Sequence, residues 1–147
     1  MIYDKNDVLC EEQVLGSGTT YSTDHKNFGG DFNVGVGEPL AVAVFVNTGA
    51  ATVSGSGTFT FELETDSVNT FASPTGLGER TIAGSTLTEG SVHVLPIPAD
   101  KSAEQFLRGK WYLAGSDPTI TITAVIMPVK AIPATNIYYA AGSSVGT

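Results

Sequence analysis

The sequence predicts an all-β fold, a sandwich or barrel of antiparallel sheets, and three observations carry that prediction. Period-2 alternation of apolar and polar residues recurs along the chain, the mark of strands with one buried face. Gly- and Pro-rich punctuation separates these stretches, with no helical pattern between them. Of 147 residues, 17 are Gly, 18 Thr and 12 Ser, all poor helix formers, and only 15% are charged. The Ala, Glu, Lys and Leu runs of a helical bundle are absent. With 41% apolar and 9% aromatic residues the chain has ample material for a core, which excludes disorder.

The elements follow in order. Residues 13–22 give a weak strand. Residues 40–46 are apolar on both faces, with Leu40, Val42, Val44 and Val46 set against Ala41, Ala43 and Phe45. That pattern predicts a central strand covered on both sides. Residues 58–65 alternate cleanly, Phe59, Phe61 and Leu63 pointing one way and Thr and Glu the other. Residues 80–83 form a second weak strand. Residues 91–97 form another, and Pro96 places it at an edge because proline cannot donate to a ladder. His93 within it reads as an ordinary surface or interface histidine. One helical turn is expected within residues 99–106. In residues 107–113 Leu107, Gly109, Trp111 and Leu113 face the core, opposite Arg108, Lys110 and Tyr112.

The last strand, residues 119–129, is the most informative. Ile120, Ile122, Ala124 and Ile126 make its inner face. Its other face begins Thr119, Thr121, Thr123 and then changes to Val125, Met127 and Val129. A solvated face should stay polar, so something covers that second half, either the chain's own termini or a neighbouring subunit. One domain is expected over residues 1–147: an N-terminal arm (1–12), a sandwich (13–130) and a C-terminal arm (131–147). The second arm carries Ile132, Ile137, Tyr138 and Tyr139, aromatic spending that suits docking as well as it suits closure of the chain's own sandwich.

Chemical motifs are sparse. The formal net charge is -8, from 15 carboxylates against seven Lys and Arg, so phosphate-backbone binding is not expected and nucleic acid is excluded as a partner. The apolar run 40–46 is too short to span a bilayer, so no membrane partner is expected. Cys10 is the only cysteine, which rules out an intrachain disulfide and a Cys-based zinc site. No secretory signal is visible near Met1, and synthesis in a cytoplasm is expected. Gly142-Ser143-Ser144-Val145-Gly146 matches G-x-S-x-G without the helix that a nucleophile elbow needs. His25 and His93 have no metal-ligand spacing. Glu62, Glu64 and Asp66 share one strand face, a pattern that suits a solvated surface better than a glycosidase pair or a calcium loop. Asp66-Ser67-Val68-Asn69 lacks EF-hand spacing. No catalytic residue, cofactor or metal is expected, and the chain does not read as an enzyme.

Several segments, taken in order, resemble the small capsid cement (decoration) proteins of tailed bacteriophages. They are Met1-Ile2-Tyr3-Asp4-Lys5, Gly37-Glu38-Pro39-Leu40, Phe61-Glu62-Leu63-Glu64-Thr65-Asp66 with Phe71 and Ser73-Pro74, Leu95-Pro96-Ile97-Pro98, Phe106-Leu107-Arg108-Gly109-Lys110-Trp111-Tyr112, and the strand 121–129. The resemblance implies an antiparallel β-sandwich of jelly-roll type with extended arms. It also implies a homotrimer on the outer capsid surface of a virion, clamping neighbouring major capsid proteins. Residues 20–31 and the tail after Gly142 lie outside the resemblance. Interface residues expected on this basis are Ile2, Tyr3, Val125, Met127, Val129, Ile132, Ile137, Tyr138 and Tyr139, apolar or aromatic types enriched at interfaces. The alternative is a carbohydrate- or receptor-binding module of a phage particle. It would stack sugars on Trp111, Tyr112 or the tail tyrosines, with Glu62 and Glu64 accepting hydroxyl hydrogen bonds.

Overall fold

The computed structural model describes residues 5–29, 32–33, 40–48, 57–97, 102–115, 119–132, 137–138 and 144–145. Eight strands of four residues or more build two antiparallel sheets: β1 (Val8–Leu15), β2 (Gly18–Tyr21), β3 (Leu40–Thr48), β4 (Thr58–Asp66), β5 (Thr75–Ala83), β6 (Val92–Pro96), β7 (Phe106–Ala114) and β8 (Ile120–Pro128). One sheet runs β1-β8-β3-β6 and the other β2-β7-β4-β5. Strands β1 to β4 alternate between the two sheets, and β5 to β8 fold back beside β4 to β1 in reverse order. This is the jelly-roll form of the β-sandwich, two Greek keys wrapped into facing sheets.

Alternation explains why these residues pack this way. Phe59, Phe61 and Leu63 on β4, Leu107, Trp111 and Leu113 on β7, and Ile120, Ile122 and Ile126 on β8 all enter one core between the sheets. Val42, Val44 and Val46 reach it from β3. Short ladders extend this framework. Lys26–Asn27 pairs with the start of β7, and Phe32–Asn33 pairs with Ser102–Ala103. Ile137–Tyr138 runs parallel to β6, with Ser144–Val145 antiparallel to it.

Several expectations change. The weak strand at 13–22 is two strands in different sheets, separated by a turn at residues 16–17 whose exit, Gly18, has φ +96. β1 starts at Val8, so residues 8–12 belong to the sandwich rather than to an arm. A bulge hid that strand from the sequence: the β1–β8 register shifts between Cys10 and Gln13, and Glu12 sits at φ +47. The helical turn within 99–106 is replaced, over its described residues, by the Ser102–Ala103 ladder and the start of β7. β5 is longer than expected and begins at Thr75.

His93 needs the plainest correction. It is fully buried rather than a surface or interface residue. Val92 and Val94 join the apolar outer face of their sheet, so alternation sends His93 inward on the same side as Leu95 and Ile97.

Candidate functional site

The two sheets present unlike outer faces. On the β1-β8-β3-β6 sheet, Val125 and Met127 of β8 lie beside Ala41 and Ala43 of β3, then Val92 and Val94 of β6. Val8 closes the patch at the β1 edge. The turn Val129–Ala131 brings the chain back, helped by a bond from the Ile132 N–H to the Val129 carbonyl at 3.2 Å, and Ile132 packs on the patch. Val125, Met127 and Ile132 are buried within the single chain, and Val129 and Phe45 are half-buried at its margin. The polar half of the same face is stitched together. Thr123 Oγ1 donates to Asn47 Oδ1 at 2.7 Å and accepts from the Glu12 N–H at 3.0 Å.

The expected interface residues therefore divide. Val125, Met127, Val129 and Ile132 form one contiguous patch. Ile137 and Tyr138 run along β6, opposite Val92 and His93 in register, and only their backbone is described. Ile2, Tyr3 and Tyr139 lie outside the described residues.

The outer face of the β2-β7-β4-β5 sheet is polar and aromatic. Arg108 Nε and Nη2 both donate to Glu64 Oε2 at 2.9 Å, and Lys110 Nζ stands 3.7 Å from Oε1. The Arg108 guanidinium also lies 3.8 Å from the centre of the Tyr21 ring and 4.4 Å from that of Phe71. Such a cation is held by its carboxylate and by both ring faces at once. Phe71 adopts φ +50 to reach this position, inside the 67–74 loop. Asp66 anchors that loop by accepting the backbone N–H groups of Ser73 at 2.9 Å and Val68 at 3.3 Å. Those bonds, Ser73 first, hold its carboxyl below the usual carboxylate range. With N–H donors aimed at both its oxygens, Asp66 is a loop anchor and not a cation ligand.

Trp111 is buried in the core, so it offers no stacking platform. Tyr112 and Tyr21, by contrast, are 46% and 44% exposed on this face. Tyr21 was missed by the sequence reading, although the Thr19-Thr20-Tyr21 spacing marks it as a residue on the same side as Thr19. Val14 and Val68 are further exposed apolar side chains that the reading did not single out.

Two depressions flank the Lys26–Asp7 ion pair, which closes at 2.6 Å. One, of about 450 Å³, is lined by polar residues including Asn6, Asp24, His25 and Asn27. The other, of about 310 Å³, is mostly apolar, with Phe28, Leu40, Ile126 and Met127 in its wall. Among the described residues, no group of three or more His, Cys, Asp or Glu is placed to hold a metal. The Cys10 thiol is buried, and that burial pushes its pKa up to about 12, which leaves it a small core residue rather than a nucleophile.

A family model described as Bbp16 matches the sequence over residues 9–126, a span from the start of β1 almost to the end of β8. No curated protein matches the sequence.

Proposed function

The chain belongs to the Bbp16 family, and for this member we propose a mechanical role in a virion, as a decoration protein that binds the outer capsid surface as a homotrimer and clamps neighbouring major capsid proteins. The observation that carries this reading is the strand order, β1-β8-β3-β6 against β2-β7-β4-β5. It is the architecture expected from the ordered resemblance to capsid cement proteins, and the resembling segments at β4, β7 and β8 form its core strands. The role needs no catalysis. A trimer that straddles several subunits favours whichever shell state it binds best, by mass action. Three linked contact sets add avidity, so each contact can be weak.

Cosedimentation of the full chain with purified phage heads tests the proposal. Saturation at a copy number matching the three-fold and quasi-three-fold positions is expected. Failure to cosediment, or a monomer by light scattering at the concentrations used, would overturn it.

Binding of glycans or a receptor is the second reading, and one observation favours it: Tyr21 and Tyr112 are exposed on one sheet face. Against it, Trp111 is buried and Glu64 is spent on Arg108. A glycan array in which Tyr112→Ala abolishes a signal seen with the unaltered protein would favour this reading over the first.

A further inference from the structure

The interior of the sandwich holds one polar cluster that the proposed role does not use. His93 points inward from β6, fully buried, with Nε2 3.0 Å from Ser91 Oγ. From the facing sheet, Arg80 of β5 reaches across the seam and donates from Nη1 to the Val94 carbonyl at 3.0 Å, one residue along from His93. This contact clasps β5, the edge strand of one sheet, to β6 of the other. β6 is also the strand along which Ile137–Tyr138 runs, with Tyr138 the register partner of His93.

We infer that this clasp is an acid-sensitive device: protonating His93 places a second cation beside Arg80 inside the sandwich and loosens β6 from β5. The groups around His93 support this. β3, its other neighbour in the sheet, carries no ionisable side chain between Leu40 and Thr48. The turn Gly84–Thr86 carries none either. On β5, Glu79 lies on the outer face opposite Glu62, and Glu89 in the turn before Ser91 is exposed. Among the described residues, Arg80 is thus the charge that acts on the ring, and it is repulsive. Burial first and Arg80 second push His93 down to about 4 from 6.5, outweighing a backbone hydrogen bond at Thr86 that favours the charged form.

The direction follows from proton counting. Between pH 6.5 and about 4 the unfolded chain binds a proton at His93 that the folded chain refuses. Stability from this group is therefore complete above 6.5 and is lost as pH falls toward 4. Asp66 acts in the same direction but in a lower window, since its lowered carboxyl keeps its contribution until pH falls below 3.8. The two windows are separable.

The test is a pH series on the full chain, by urea unfolding and by NMR titration of the His93 imidazole. The unfolding constant is expected to rise about 100-fold between pH 7 and pH 4 from this group alone. Amide exchange at Val92–Leu95 should rise ahead of the rest of the core. His93→Gln should lose this component, and Arg80→Met should raise the imidazole pKa. An imidazole that titrates near 6.5, or an identical pH dependence in wild type and His93→Gln, would overturn the inference. Should His93→Gln fail to fold, the wild-type imidazole titration and its response to Arg80→Met decide the matter.

Discussion

Gly109 and Trp111 sit two residues apart on the inward side of β7, and the indole folds back over the glycine. A Cβ at Gly109 would fall into the six-membered ring of Trp111. That ring is in turn confined by Phe59 and Phe61, whose centroids lie 6.4 and 6.5 Å away. Glycine is therefore required here by space, and Gly109→Ala should destabilise the fold by about 1–3 kcal/mol, the usual cost of overpacking a tight core. Urea unfolding monitored by Trp111 fluorescence measures it, and an unchanged midpoint would refute the steric account. The inward position of Gly109 was legible in the sequence, because polar residues alternate with it on both sides. His93 was not legible in the same way. Its neighbours Val92 and Val94 are both apolar, and in a strand with two buried faces alternation does not say which face is the core.

At the scale of elements, the β4–β7 ladder is fastened on its outer side by one buried carboxylate and two cations of unequal value. The side chains of Arg108 and Glu64 are 17% and 7% exposed, whereas Lys110 is 35% exposed and more distant. Removing a partner from a desolvated pair strands the remaining charge, while an exposed pair contributes little. Arg108→Ala should therefore cost about 3 kcal/mol and Lys110→Ala less than about 1 kcal/mol, read from chemical denaturation of each variant. Equal losses would show that Glu64 is better solvated than its surroundings indicate. The carboxylate row Glu62, Glu64 and Asp66, expected as a solvated surface, is instead buried at Glu64 and Asp66, whereas β3, β4, β7 and β8 could be read from the sequence as strands. β1 could not. Its bulge at Glu12 breaks the period of two, so the strand looked like an arm followed by a fragment. The arginine clamp was also hidden, because Tyr21, Phe71 and Arg108 come from three distant parts of the chain.

For the whole molecule, the two outer faces make opposite demands on any docking partner. Half of the β1-β8-β3-β6 face is apolar, and in the single chain most of that patch is already buried, with Val125 and Met127 covered and Val129 and Phe45 half-open at its margin. A glutamate at Met127 would thus first disturb the chain's own folding, which makes oligomeric state a poor readout of that substitution. No property of a single strand indicated this closure, since strand order is a relation between distant segments; the jelly roll itself came from the ordered resemblance and not from composition. The other face carries charge on a molecule whose net charge is -8. If that face or the overall charge governed capsid docking, the interaction would depend on salt, because the screening length falls from about 10 Å at 0.1 M to about 3 Å at 1 M ionic strength. Contacts made by burying apolar residues persist across that range and are strengthened by kosmotropic salts. On the proposed decoration role, the fraction of protein cosedimenting with phage heads should stay constant from 0.1 to about 1 M NaCl. A steep fall with salt would move the docking surface to the charged face around Arg108, Lys110 and Glu79, and apolar burial would then no longer explain how the protein holds the shell.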